Sequence, residues 1–196
     1  VFRENLNNEK ILNFKNKNSV LFSTIKNSEL YNSLFKDLNK HKLINFKKKF
    51  DLKNIKKNKY KLIFNCENNN LITRKFFYIK NIKNYNSKAY ITIIRHKKIN
   101  NNFTASQIFT KIGPIAFLPL SPTETSVVYS IKGEKKINLE SLIKKHNIKY
   151  EIIEIYKYGS FNLKSLNLRT YRYENILAFG DLLHKLHPLA GQGFNM

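Results

Sequence analysis

The spacing of apolar positions divides the chain into segments. Ser19 to Ile25 is apolar and β-branched, which predicts a strand. Asn27 or Ser28 then offers a capping oxygen, and Leu30, Leu34, Phe35 and Leu38 follow at helical spacing on one face. Lys36 to Lys61 interleaves Leu43, Ile44, Phe46, Phe50, Leu52 and Ile55 with eleven Lys, and it predicts a hairpin with solvated outer faces, a polyanion patch being the alternative. Tyr60 to Phe64 reads as a strand and Asn65 to Asn70 as the turn after it. Ala89–Ile94, Thr104–Lys111, Ile115–Leu120 and Thr125–Ile131 predict an antiparallel meander, with Ser121-Pro122-Thr123-Glu124 as a turn. Asn138 is placed to cap a helix running to His146, with Glu140 near its start and Lys144, Lys145 and His146 at its end, as the helix dipole favours. Tyr150 to Tyr156 and Phe161 to Arg169 are strand-like.

The last twenty-one residues organise the rest. Ile176 to Phe179 is a short apolar run, a buried strand closed by Gly180. Gly180 permits a turn that a side chain would obstruct. Asp181 falls at the carboxyl end of that strand, where open α/β sheets bind ligands, and its carboxylate can accept hydrogen bonds from sugar-like hydroxyls. His187-Pro188 forces an extended step, and Gly191-Gln192-Gly193 lets backbone approach a flat ligand closely. A helix starting after Gly193 would turn free amides and a positive dipole end toward an anionic ligand edge.

Gly180-Asp181, His184, His187-Pro188, Ala190-Gly191-Gln192-Gly193 and Asn195 stand in register with the second flavin motif of FAD-dependent aromatic hydroxylases. The tail resembles most the members that hydroxylate a ring in ubiquinone biosynthesis, the 2-octaprenyl-6-methoxyphenol hydroxylase type. Leu182-Leu183 departs from the small residues usual there. Gln107 to Ser130, with Gly113-Pro114 and Leu118-Pro119-Leu120, resembles the substrate-domain sheet of the same enzymes. The resemblance implies an α/β (α+β) fold: part of a FAD-binding Rossmann-like domain plus an antiparallel substrate-domain sheet. It places a partial FAD-binding domain at 1–75, the substrate sheet at 76–165, and the return to the FAD-binding domain at 166–196. It implies a monooxygenase in which NAD(P)H reduces FAD, O2 adds to give a flavin hydroperoxide, and one hydroxyl passes to a prenylated phenol.

By motif position, Gly180 and Asp181 meet the ribityl and pyrophosphate part of FAD. Pro188, Gly191, Gln192 and Gly193 line the isoalloxazine ring, and Asn195 completes the cofactor-binding set. Alternation makes Phe109, Phe117 and Tyr129 candidate walls of a substrate pocket, a plain core role being the alternative. Where the family carries Asp-Gly, which touches FAD and the nicotinamide donor, this chain has Glu67-Asn68. Asn can take the left-handed turn that Gly would supply. The amino-terminal Gly-x-Gly-x-x-Gly fingerprint of the family occurs nowhere here. The 196 residues therefore read as an internal fragment, expected to hold FAD weakly by itself.

Composition changes this picture little. A net charge of +23 suggests a polyanion partner, but only five of the 36 basic residues are Arg, and the Lys/Asn/Ile bias spreads over the whole chain. Solvated charge is the reading, with no nucleic-acid partner expected. Attraction to anionic lipid would suit an enzyme with a lipid-tailed phenol substrate, cytoplasmic or peripheral on the inner face of the membrane, alone or in a multi-enzyme complex. The single cysteine, Cys66, excludes an internal disulfide, and His184 with His187 lacks a third ligand for a metal site. Two alternatives stay open: a flavoprotein hydroxylase of another aromatic substrate, and a non-enzymatic basic module that binds RNA or a membrane surface.

Overall fold

Strands form where the apolar alternation finds a partner strand. The computed structural model describes residues 1–4, 9–15, 20–47, 60–133 and 137–185. In chain order they form β1 (Phe2–Arg3), β2 (Glu9–Lys10), α1 (Asn27–Lys40), β3 (Ile63–Asn65), α2 (Leu71–Phe76) and β4 (Lys80–His96). Then come β5 (Ser106–Thr110), β6 (Gly113–Pro119), β7 (Glu124–Lys132), α3 (Leu139–His146), β8 (Ile152–Ile155) and β9 (Gly159–Leu168). β10 (Arg172–Tyr173), β11 (Ile176–Ala178), a 3-10 turn (Gly180–Leu182) and β12 (His184–Lys185) complete the order. The chain divides into two units, one of residues 1–44 and 87–162, the other of 45–86 and 163–196.

The first unit is an antiparallel meander with additions. β4 pairs with β7 from Ser87↔Lys132 to Arg95↔Glu124. β7 continues to β6 (Ile115↔Tyr129) and β6 to β5 (Ile108↔Ile115). β1 adds parallel to β5, and β8 adds antiparallel to β4. Along β7 every second residue is buried: Thr125, Val127, Tyr129 and Ile131. That face packs with Ile94, Ile108, Ile115 and Phe117 against Leu139 and Ile143 of α3. Asn138 caps α3, its side chain accepting from the Ser141 N–H at 3.0 Å. The β5–β6 turn needs glycine: Gly113 has φ +145°, and a Cβ there would stand 1.9 Å from the Ser130 carbonyl oxygen.

The second unit contains a three-stranded sheet, β10-β11-β3. β11 runs parallel to β3, with Ile176↔Ile63 and Ala178↔Asn65 in register, and antiparallel to β10. Ile72 and Phe77, at α2 and its end, pack on Ile176, Ala178, Leu168 and Leu182. β12 pairs with β9.

Several sequence expectations are corrected. Residues 20–26 are not a strand; Val20 is 80% exposed and no described strand pairs with it. The cap of α1 is Lys26, with no side-chain cap bond, and Asn27 is already helical. Its apolar stripe lies open, for α1 buries no residue. Lys36 to Lys40 belong to α1 and 41–47 form no strand, while the remainder of the expected hairpin, 48–59, lies outside the described residues. β4 is far longer than Ala89–Ile94, and the helix α2 had no counterpart in the sequence reading.

Candidate functional site

Two parallel strands deliver two loops to one place. β3 and β11 end side by side, so the turn after Asn65 and the turn after Ala178 emerge from the same sheet edge. The backbone joins them: the Phe179 N–H donates to the Asn65 carbonyl at 2.9 Å. This is where a parallel sheet exposes ligand-binding loops. Gly180 begins the second turn in the left-handed region, φ +62°, and nothing lies within 4 Å of where its Cβ would be. Asp181 follows in the 3-10 turn, exposed and in no ion pair among the described residues.

The first turn is built from asparagines. The Asn65 side chain donates to Thr73 Oγ1 at 2.8 Å and accepts from Asn70 Nδ2 at 2.6 Å. Asn70 Oδ1 in turn caps α2 by accepting from the Thr73 N–H at 2.8 Å. With its polar atoms paired, this network fixes the loop that carries Cys66, Glu67 and Asn68. Asn68 reaches across: its Nδ2 donates to the Asp181 carbonyl at 3.4 Å. Its Oδ1 is sheltered from water without a hydrogen-bond partner. Asn68 does not take the left-handed turn expected of it, since Asn86 and Glu174 are the described non-glycine residues with positive φ.

Of the expected cofactor residues, the structure brings Gly180 and Asp181 to the sheet's carboxyl end. Pro188, Gly191, Gln192, Gly193 and Asn195 lie outside the described residues, as do His187 and the helix expected after Gly193. Phe117 and Tyr129 are sealed in the first unit's core, at 2% and 0% exposure, and Tyr129 bonds Thr110 Oγ1 at 3.0 Å. They are packing residues, because alternation in a sheet covered by α3 turns them inward. Phe109 faces outward, 43% exposed. None of the three lines the cavity of about 740 Å3 in this unit, which lies among Phe14, Phe22, Asn102, Phe103, Leu120 and Pro122. The asparagine network was the feature sequence reasoning missed; the cluster Asn65, Asn68, Asn69, Asn70 right after a strand was its signal.

The fold is that of flavin-dependent oxidative enzymes. The flavin-dependent brominase Bmp2 superposes with a TM-score of 0.54 at 15% identity, over 69% of this chain and 39% of that one. The flavin-dependent halogenase CmlS does so at 0.51 and 13%, over 68% of this chain and 28% of that one. No family model matches the chain. In sequence, it is 26% identical over 180 residues to the ubiquinone biosynthesis monooxygenase COQ6, mitochondrial, of Xenopus tropicalis, covering 69% of this chain and 39% of that protein. It is 31% identical over 99 residues to the 3-demethoxyubiquinol 3-hydroxylase of Escherichia coli (strain K12), covering 46% of this chain and 25% of that protein. The chain is thus similar in sequence to ubiquinone-biosynthesis hydroxylases and in fold to flavin-dependent enzymes. It spans well under half the length of the curated relatives it matches.

Proposed function

We infer that the protein carrying this chain is a FAD-dependent monooxygenase that hydroxylates the ring of a prenylated phenol in ubiquinone biosynthesis, with NAD(P)H as reductant and O2 as oxidant. The observation that carries this is the meeting of Gly180-Asp181 with Glu67-Asn68 at the carboxyl ends of two parallel strands. The residues present fit FAD: Asp181 offers an exposed carboxylate, directly after a left-handed glycine whose Cβ position has no atom within 4 Å. Bound there, FAD would supply the activation of oxygen for transfer to an electron-rich ring.

The chain's own residues bind and orient. Asp181 accepts from sugar-like hydroxyls and so fixes the cofactor along the strand ends. Gly180 keeps the approach free of a side chain. The asparagine network holds the facing loop still, so binding costs little ordering. Pro188, Gly191, Gln192, Gly193 and Asn195 complete the cradle in this reading. Phe109, which keeps its ring exposed, is the remaining candidate of the three aromatic residues for touching substrate. A lipid-tailed substrate would bring the protein to a bilayer surface. No described helix is long and apolar enough to cross one.

Expression from the complete reading frame, followed by a flavin absorbance spectrum, tests the cofactor. Incubation with a prenylated phenol, O2 and either nicotinamide donor tests the reaction, by a mass gain of one oxygen atom. Asp181→Ala should lower flavin occupancy. A colourless protein, or one that oxidises the donor without altering any phenol, would sink the assignment.

A further inference from the structure

The cavity in the first unit is a formed space with a fixed wall. Its lining is drawn from residues 13–15, 20–24, 100–105 and the turn 119–122. An ion pair ties the second of these segments to the last. Lys26 Nζ, just past the strap 20–24, stands 2.6 Å from Glu124 Oε2, and both side chains are half-buried. Glu124 also closes the turn. Its N–H donates to Ser121 Oγ at 2.9 Å, and its carbonyl accepts from the Leu120 and Ser121 N–H groups at 3.0 and 3.1 Å. A volume of about 740 Å3 lies within the range of small-molecule sites. Phe14, Phe22 and Phe103 line it at 72%, 53% and 83% exposure, so apolar surface there stays wet until something covers it.

The lining identifies the chemistry of the ligand. Charged residues make up 25% of this chain, yet Lys15 is the one charged residue among those that line the cavity. The principal polar group of the wall is already paired. Asn102, 5% exposed, uses its whole carboxamide. Nδ2 donates to the Ser121 carbonyl at 2.9 Å and to Thr125 Oγ1 at 3.3 Å, while Oδ1 accepts from Lys149 Nζ at 2.9 Å and from the Tyr150 hydroxyl at 3.1 Å. Pro119 and Pro122 have no N–H, and those of Leu120 and Ser121 are bonded to Glu124. A charged or polyhydroxylated ligand would lose water there and regain little. An anionic chain finds one countercharge, Lys15, and a cationic one meets a net charge of +23. A neutral hydrocarbon chain loses no hydrogen bond and covers the three phenylalanine rings. We propose that this cavity takes the prenyl tail of the phenol, the source of the chain resting on the hydroxylase reading above, and that Phe14, Phe22 and Phe103 determine the preference for that tail.

The test uses protein from the complete reading frame. Calorimetry measures the binding of farnesol and of dodecanol, turnover is measured on one phenol with and without its prenyl tail, and melting is recorded for each variant. Phe103 is the position to change, since a side chain so exposed contributes little to folding. Phe103→Glu should weaken farnesol binding about tenfold, because a carboxylate set against hydrocarbon is poorly solvated. Phe103→Leu should keep most of the affinity. In turnover, the preference of Phe103→Glu for the tailed over the tailless phenol, as a ratio of kcat/KM, should fall by a similar factor. No farnesol binding by the unsubstituted protein, or equal binding by Phe103→Glu, would overturn the proposal. Dodecanol bound as tightly as farnesol would assign the cavity to lipid acyl chains instead. A dimer turned to monomer by Phe103→Glu, with farnesol affinity unchanged, would assign it to a second copy. If neither phenol is hydroxylated while farnesol binds and Phe103→Glu weakens it, the hydroxylase reading fails and the cavity stands as a prenyl-chain site.

Discussion

Glycine at position 113 and glycine at position 180 do different work. At Gly113 a methyl group would stand 1.9 Å from a backbone oxygen of the paired strand, and that oxygen cannot move without breaking the β6–β7 ladder. Gly113→Ala should therefore cost roughly 3 kcal/mol, the upper end of ordinary substitutions, read as a lower urea midpoint. At Gly180 the space is open and only the left-handed backbone resists, so Gly180→Ala should cost about 1 kcal/mol. Equal losses would show that the close contact at Gly113 is relieved by backbone movement. The turn at Gly180 was readable from sequence because a glycine closing an apolar run has few other uses. The conformation of Asn68 was not, since residue type permits a left-handed turn without requiring one. Phe117 and Tyr129 could be placed on a face by alternation, but which face α3 covers is a tertiary fact.

At the scale of elements, α3 was legible to its cap, for Asn138, the acidic start and the basic end all agree with one helix. The meander β5–β6–β7 was legible because each strand alternates and each turn carries glycine or proline. The first half of β4 was not, being polar and lysine-rich, and α2 is too short for a helical period to emerge. One consequence of the way α3 docks is a pH dependence. His146, the last residue of α3, is 6% exposed, edge-on to the Tyr129 ring, with Nε2 4.0 Å from Glu4 Oε1. Burial lowers its pKa below the ordinary 6.5, against the upward pull of Glu4, while nearby Lys145 lowers it further. The unfolded chain then binds the proton first, so stability falls as pH drops through 6.5 toward the lowered folded value. Glu4, held below 4.5 mainly by the Lys111 N–H, contributes stability above 4.5 that is lost as pH falls through its own lowered value. Urea unfolding of His146→Gln across this range should be flatter just below 6.5 and keep the loss at lower pH. An unchanged slope in the upper window would show that His146 does not set it.

For the whole molecule, the interleaving of two units was not legible, since each unit takes its residues from two separate stretches. The chain also carries two opposing tendencies. Its charge of +23 repels other copies. Between residues 20 and 44 it exposes Val20, Leu21, Phe22, Ile25, Tyr31, Leu34, Phe35, Leu38, Leu43 and Ile44, apolar side chains that favour association. Repulsion between exposed charges is screened by salt, whereas apolar attraction is not. At low ionic strength the charge should hold copies apart, and light scattering should report a monomer that enhances the fluorescence of an apolar dye. Raising the salt should drive association. Leu34→Lys with Phe35→Lys should reduce both the dye signal and the association, since both positions lie on the open stripe of α1. Association that weakens as salt rises would mean that ion pairs hold copies together, and the apolar stripe would then be irrelevant to it.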